Sequence, residues 1–101
     1  MRADVFKELI DIAERDINDK CAKEGFICNT NDMEMNFLKA GLKATLSIEF
    51  ICDIFFKDDN TFAGYACGYY DIINGNIRFG GEVIIDIDVT AENEHDERNG
   101  L

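Results

Sequence analysis

The stretch LSIEFICDIFF, residues 46–56, alternates between apolar and polar side chains, and it decides the fold. Ser47, Glu49 and Asp53 occupy odd-numbered positions. The even-numbered positions are all apolar: Leu46, Ile48, Phe50, Cys52, Ile54 and Phe56. A period of two is typical of a β-strand with one buried face. We therefore predict a strand here whose even-numbered face is covered by another part of the chain.

A helix that can cover this face is predicted over residues 2–24. Its apolar stripe follows helical spacing through Phe6, Ile10, Ala13, Ile17 and Cys21, and is widened by Val5 and Leu9. Gly25 suits a left-handed position at the C-terminal end of the helix.

The stretch DIINGNIRF, residues 71–79, predicts a β-hairpin, because Asn-Gly is a favoured two-residue turn between strands. The turn predicts these opposed pairs: Ile73 and Asn76, Ile72 and Ile77, Asp71 and Arg78, Tyr70 and Phe79, Ala66 and Val83, Gly64 and Ile85, Phe62 and Ile87. Apolar side chains then share one face along both strands.

A second turn, Asp58-Asp59-Asn60, predicts a three-residue loop with Asn60 in a left-handed conformation. It places these pairs opposite each other: Phe56 and Phe62, Ile54 and Gly64, Cys52 and Ala66, Ile48 and Tyr70, Leu46 and Ile72. A slip by one residue would turn the apolar face of one strand outward, so this pattern defines the register.

Segment 26–41 has two interpretations. We favour a strand, with a turn at Ala40-Gly41 that aligns Met33, Met35 and Phe37 with Ile48, Leu46 and Ala44. The alternative is a short helix that starts at Asn31 or Asp32.

The predicted fold class is α+β: an N-terminal amphipathic helix packed on one face of a four-stranded (at least three-stranded) antiparallel β-meander. Residues 1–91 form the domain and residues 92–101 an acidic C-terminal tail. In the last strand, Val83, Ile85, Ile87 and Val89 are expected to point inward, and Asp86, Asp88 and Thr90 outward.

Little in the sequence indicates catalysis, so we expect no enzyme activity, no catalytic residues, no cofactor and no metal ligands. The four cysteines form no CxxC pair, and the only histidine is His95. An EF-hand count from Asp86 to Glu97 matches the acidic spacing, but Ala91 stands where that loop needs glycine. With no signal peptide or apolar span visible, we expect a cytoplasmic protein.

The net charge of −11 is concentrated in the second part of the chain. Residues 58–101 contain 10 acidic and 2 basic residues, against 11 and 8 in residues 1–57. Such a field repels nucleic acids and anionic membranes and attracts basic surfaces.

The face opposite the predicted helix combines aromatic and aliphatic side chains with carboxylates. Exposed apolar surface of this kind marks interaction sites, and tyrosine is a favoured anchor. The expected partner-binding residues are Glu49, Ile51, Asp53, Phe55, Tyr65, Tyr69, Glu82, Ile84, Asp86 and Asp88.

These features favour a small acidic inhibitor that occupies a basic, nucleic-acid-binding surface of a partner protein. Its size and charge are similar to those of phage anti-defence proteins, including anti-CRISPR proteins. Two alternatives are an immunity protein that neutralises a cationic nuclease toxin and a homo-oligomeric structural or accessory protein that buries the same face. In each case the expected partner is a protein, with neither direct nucleic-acid binding nor membrane binding. A homodimer is compatible with the homo-oligomeric alternative.

Overall fold

A computed structural model describes residues 3–38, 45–79 and 83–100 of the chain. Its elements, in chain order, are α1 (Ala3–Glu24), β1 (Phe26–Cys28), a 3-10 turn (Thr30–Asp32), β2 (Glu34–Leu38), β3 (Thr45–Phe56), β4 (Phe62–Ile73), β5 (Asn76–Phe79), β6 (Ile84–Ile87) and α2 (Val89–Arg98). All strand pairs are antiparallel.

The sheet is built around β3 and β4, which are 12 residues long each. β1 and β2 both pair with the same strand, β3, and β5 and β6 both pair with β4. The six strands therefore form a sheet about four strands wide that curls into a half-barrel, with α1 packed against it. The predicted α+β fold class is confirmed, with each outer strand divided into two short segments.

The predicted register between β3 and β4 is confirmed over most of its length. Leu46 pairs with Ile72, Ile48 with Tyr70, Cys52 with Ala66 and Ile54 with Gly64. Asn60 has the expected left-handed conformation, with φ of 59°. The prediction fails only at the turn, where the register shifts and Phe55, not Phe56, lies opposite Phe62.

The hairpin at Asn74-Gly75 is also confirmed, with all four predicted pairs from Ile73–Asn76 to Tyr70–Phe79. Farther out the prediction is wrong by two residues: Ala66 pairs with Ile85 and Gly64 with Ile87. The chain between Phe79 and Ile84 is two residues longer than the part of β4 that it passes. Since two is the period of a strand, this shift leaves each side chain on the predicted face.

The favoured interpretation of segment 26–41 is confirmed, because Glu34–Leu38 is a strand. Its register differs by four residues: Met35 pairs with Phe50 and Phe37 with Ile48. A 3-10 turn, Thr30–Asp32, lies where the alternative placed the start of a short helix. The predicted turn at Ala40-Gly41 lies outside the described residues.

The core forms where the apolar stripe of α1 meets the even-numbered face of β3, which we call the inner face. Each large aliphatic side chain removed from water there contributes about 1.5–3 kcal/mol. The buried residues are Leu9, Ala13, Ile17, Cys21, Ile48, Phe50, Cys52, Ile54, Ala63, Ala66, Tyr70, Ile72 and Val83. The inward direction predicted for the even-numbered side chains is therefore confirmed.

Tyr70 connects this core to the helix through a polar contact. Its hydroxyl donates a hydrogen bond to Asp16 Oδ2 at 3.0 Å, and its ring packs edge-on against Phe50 with centroids 5.8 Å apart. A Cβ at Gly68 would lie 3.1 Å from this ring, so glycine leaves the space that the ring occupies. Burial, together with the Asp16 carboxylate, holds the pKa of Tyr70 far above its usual range.

The segment expected to be a charged tail is instead a helix from Val89 to Arg98. Asp88 begins it, since its Oδ1 accepts a hydrogen bond from the Ala91 backbone N–H at 2.9 Å. The last strand consequently ends at Ile87, and the predicted inward direction of Val89 is wrong: this side chain is 72% exposed. A helix at these residues also excludes the EF-hand loop considered from the acidic spacing.

Among the residues that the structure describes, no helix combines the length and apolar character needed to cross a membrane.

We predict that Gly64→Ala strongly destabilises the fold. Gly64 has φ of 147°, and an added Cβ would overlap the Asp86 carbonyl oxygen and lie 2.9 Å from the Asp88 nitrogen. We expect the free energy of unfolding to fall by at least about 3 kcal/mol in urea titrations. Gly25→Ala, at a left-handed residue with open space around it, should cost only about 1–2 kcal/mol. Equal losses in the two variants would contradict the close approach of β6 to β4.

Replacing Tyr70 with phenylalanine removes the hydroxyl and keeps the ring. We expect a loss of about 1–2 kcal/mol in the free energy of unfolding, because the hydrogen bond to a carboxylate is lost. Tyr65→Phe, at a side chain that is 41% exposed, should change stability by less than about 0.5 kcal/mol. Denaturant unfolding of both variants measures the difference, and indistinguishable midpoints would show that the Asp16 contact adds no stability.

Candidate protein-binding surface

The outer face of the sheet is formed by the odd-numbered positions of β3 and their neighbours across the strands. One row across the sheet joins Asp53 to Tyr65 and Tyr65 to Asp86, each pair lying directly opposite. Tyr65 and Asp86 therefore share one face, as the alternation predicted. A second row contains Glu34, Ile51, Cys67 and Ile84.

Most of the predicted partner-binding residues lie together on this face. Those brought together by the strand registers are Glu49, Ile51, Asp53, Phe55, Tyr65, Tyr69, Ile84 and Asp86. Asp88 does not join them, because it follows the last strand and its carboxylate caps α2. Glu82 lies outside the described residues.

The outer face exposes several large apolar side chains. Ile27, Leu38 and Tyr65 are each 40–41% exposed, and Ile84 is 50% exposed. Ile27 lies opposite Phe55, and Leu38 lies opposite Ser47, so both extend the same face. Four of the six exposed large apolar residues among the described part of the chain thus lie on one surface, which favours contact with a partner.

Sequence reasoning missed Ile27 and Leu38. Ile27 belongs to a strand of three residues, too short to show alternation, and the segment containing Leu38 had two open interpretations. A signal was present for Leu38, since it continues the alternation of Asn36 and Glu34 on the polar side of β2. Only the pairing with β3 placed these residues beside the predicted ones.

Aromatic rings stiffen one end of the outer face. Phe62 contacts Phe55 with ring centroids 6.4 Å apart and Tyr65 with centroids 5.4 Å apart, both edge-on. Rings held this way lose little conformational freedom when a partner binds. Tyr65 is therefore a suitable anchor for a protein partner, because its ring is already held in place by Phe62.

The outer face is also negatively charged. On the described strands it carries five carboxylates and one guanidinium, that of Arg78, which lies opposite Asp71. The carboxylates belong to Glu34, Glu49, Asp53, Asp71 and Asp86. Acidic and apolar side chains therefore alternate on one accessible surface.

Glu49 is held in place by a neighbour on each side. Asn36 Nδ2 donates a hydrogen bond to Glu49 Oε1 at 3.3 Å from β2, and Tyr69 donates its hydroxyl from β4. The bond to Glu49 is the main cause that raises the pKa of Tyr69 to about 12. This three-strand network fixes the carboxylate, and no ion pair with it occurs within residues 3–38, 45–79 and 83–100.

Cys67 lies in a negative electrostatic potential on the outer face of the sheet. Burial is the main cause that raises the pKa of its thiol, and the negative charges of Glu49 and Asp86 raise it further. The negative charges of Glu49 and Asp86 also raise the pKa of Tyr69. Both pKa shifts indicate that Glu49 and Asp86 create a negative potential over the middle of the sheet, which a cationic group would relieve.

Comparison with known proteins gives no match: no family model, no curated protein and no solved structure is significantly similar to this chain. Inference about its function therefore starts from its own residues.

We predict that Glu49→Gln returns the pKa of Tyr69 toward its ordinary value of 10.0. The neutral hydroxyl donates to the Glu49 carboxylate, so this contact stabilises the folded chain below about pH 10 and is lost as pH rises toward 12. NMR titration of the tyrosine ring signals measures the pKa. Asp53→Asn, on the same strand but opposite Tyr65, should leave Tyr69 unchanged. An unaltered Tyr69 pKa in Glu49→Gln would mean that this carboxylate does not accept the bond.

Proposed function

We propose that this protein is a small inhibitor that binds a cationic, nucleic-acid-binding surface of another protein through its outer face. The observation that carries the proposal is the coincidence of four exposed apolar side chains with five carboxylates on one side of the sheet. The proposed role is binding without catalysis. It is of the phage anti-defence kind, such as an anti-CRISPR protein.

The negative charge of the outer face favours partner proteins with a basic surface. Arginine and lysine side chains that hold phosphate groups also pair well with carboxylates. A strand rises about 3.3–3.4 Å per residue, so Glu49 and Asp53, four residues apart on β3, are separated by about 13 Å. Each can therefore meet a separate basic group on the partner. The same basic groups of the partner would hold either nucleic acid or the outer face of this protein. Competition with nucleic acid for the partner is therefore the expected mode of inhibition.

The apolar side chains of the outer face are expected to supply binding free energy that its charges alone do not provide. Exposed ion pairs contribute about 0–1 kcal/mol each, whereas aromatic anchors in a desolvated interface contribute 2 kcal/mol or more, on the order of a thirtyfold change in affinity. Tyr65, already packed against Phe62, and Ile84 are therefore expected to give most of the affinity. The carboxylates around them are expected to set specificity and the rate of association.

We place this activity in the cytoplasm. The four cysteines are free thiols, and Cys21 and Cys52 are buried in the core. A reducing compartment keeps such thiols in this form.

Site-specific photocrosslinking tests the proposal directly. A photoreactive phenylalanine analogue is introduced at Tyr65 or Ile84 on the outer face, or at Asp11 on the exposed side of α1 as the matched control. In extracts of the cells in which the chain is naturally made, the outer-face probes should capture one basic protein that the control does not. The wild-type chain should then inhibit nucleic-acid binding by that purified protein.

Charge reversal provides a quantitative prediction. We expect the double variant Asp53→Lys, Asp86→Lys to lose at least about tenfold in affinity for the captured partner and to show a weaker salt dependence. Glu8→Lys, Asp11→Lys makes the same change in net charge on the exposed side of α1 and should bind within about twofold of wild type. Isothermal titration at several salt concentrations measures both. Equal losses in the two variants would attribute binding to net charge and contradict a specific face.

The same face also suits self-association, the second candidate, since its exposed apolar side chains can be buried against another copy. Sedimentation at low micromolar concentration separates the two. A mass of 11.4 kDa supports the inhibitor, whereas a stable mass near twice that value, lost in Ile84→Lys, supports the homo-oligomer.

A further inference from the structure

The chain's single histidine lies where α2 meets the turn between β3 and β4. The His95 ring stacks on Phe56, with centroids 3.9 Å apart and an angle of 18° between the planes. Its side chain is only 14% exposed. A residue expected from the sequence to lie in a solvated tail is therefore held in a defined orientation against the sheet.

Two carboxylates of the turn face this ring. His95 Nε2 lies 2.9 Å from both Asp58 Oδ1 and Asp58 Oδ2, and 4.0 Å from Asp59 Oδ2. One ligand atom from each of the three residues lies within 4.8 Å of the others. The strand turn and the helix thus converge on one small volume from parts of the chain almost 40 residues apart.

These separations are compatible with metal coordination. In octahedral coordination, two neighbouring ligand atoms about 2.1 Å from one ion lie about 3 Å apart and two opposite ones about 4 Å, whereas tetrahedral coordination places every pair about 3.4 Å apart. The distances of 2.9 Å to Asp58 and 4.0 Å to Asp59 match these values. Small side-chain movements suffice to place an ion between the imidazole and the two carboxylates.

The surroundings orient these ligands as metal sites require. Asp59 Oδ1 accepts hydrogen bonds from the Thr61 backbone N–H at 3.1 Å and from its hydroxyl at 2.6 Å. Stacking on Phe56 restricts the His95 ring. Arg98 Nε lies 3.2 Å from Asp59 Oδ2, so an entering ion would take over part of the charge that Arg98 now neutralises.

From this geometry we propose that Asp58, Asp59 and His95 form a binding site for a divalent transition-metal ion such as Zn²⁺ or Mn²⁺. One imidazole nitrogen with two carboxylate oxygens suits such ions, whereas Ca²⁺ prefers six to eight oxygen ligands. The bound ion links α2 to the β3–β4 turn. None of the three residues belongs to the outer face, so this site is independent of the proposed inhibitor function.

Titration with each metal salt alone tests the site. We expect isothermal titration with MnCl₂ or ZnCl₂ to show one saturable site and CaCl₂ to bind much more weakly. His95 gives the only histidine ring signals in NMR spectra, so a Zn²⁺-induced change at its Nε2 resonance assigns the ligand. Mn²⁺ serves as the second probe because thiolates favour softer ions, which separates this site from the four cysteines.

Three variants locate the binding. His95→Gln and Asp58→Asn should each weaken metal affinity at least about tenfold. Asp58→Asn is nearly isosteric and keeps a hydrogen-bond acceptor toward the ring, so it tests coordination without undocking α2. Glu94→Gln removes an exposed carboxylate from the neighbouring position of α2 and should bind like wild type. Absence of saturable binding in the wild type, or binding unchanged in both ligand variants, would overturn the proposal.

Discussion

Packing of α1 onto the inner face of β3 is the constraint on which the rest of the structure depends. Ile48, Phe50 and Ile54 are fully buried or nearly so, in one core cluster with Leu9, Ala13 and Ile17 of α1. Side chains of a strand alternate between two faces, so burying the even-numbered residues directs every odd-numbered residue to the other side. The chemistry of the outer face is a direct consequence of this hydrophobic contact.

Departures from regular pairing occur where two parts of the chain approach closely. Gly64 takes a conformation that side chains disfavour, and it allows the backbone near Asp86 and Asp88 to lie against β4. Asp88 N–H donates to the Ala63 carbonyl oxygen at 2.9 Å and its carboxylate caps α2. The irregular segment of β4 at Ala63 and Gly64 therefore contacts the chain at the point where β6 ends and α2 begins.

The two proposed sites use carboxylates in different ways. On the outer face, Glu49 is held by the neutral donors Asn36 and Tyr69, which leaves its negative charge available to a cationic partner. At the β3–β4 turn, Asp58 lies against His95, and Asp59 balances the charge of Arg98 within the chain. The Asp58 carboxylate, by its hydrogen bond, raises the pKa of His95 above its ordinary value. Acidic composition alone does not distinguish these environments.

Short-range patterns determined a large part of this protein. The alternation in residues 46–56, the stripe of α1 and the two turns were sufficient to predict the fold class, the β3–β4 register and the shared face of Tyr65 and Asp86. Each of these follows from local periodicity or from a turn of defined length, and both act between residues close in sequence.

Tertiary structure alone decided the features that depend on unequal chain lengths and distant partners. β2 lies four residues from its predicted register, and β6 two residues, because loop lengths are not encoded in alternation. Residues 92–101 carry few apolar side chains, so their sequence predicted a solvated tail; the structure instead has a helix over residues 89–98. Residues 89–98 are helical because Asp88 caps the helix. The helix packs against the sheet because His95 contacts Phe56 and Asp58, and Arg98 contacts Asp59, all far away in sequence. Such contacts exist only once the sheet has brought the β3–β4 turn to the end of β6.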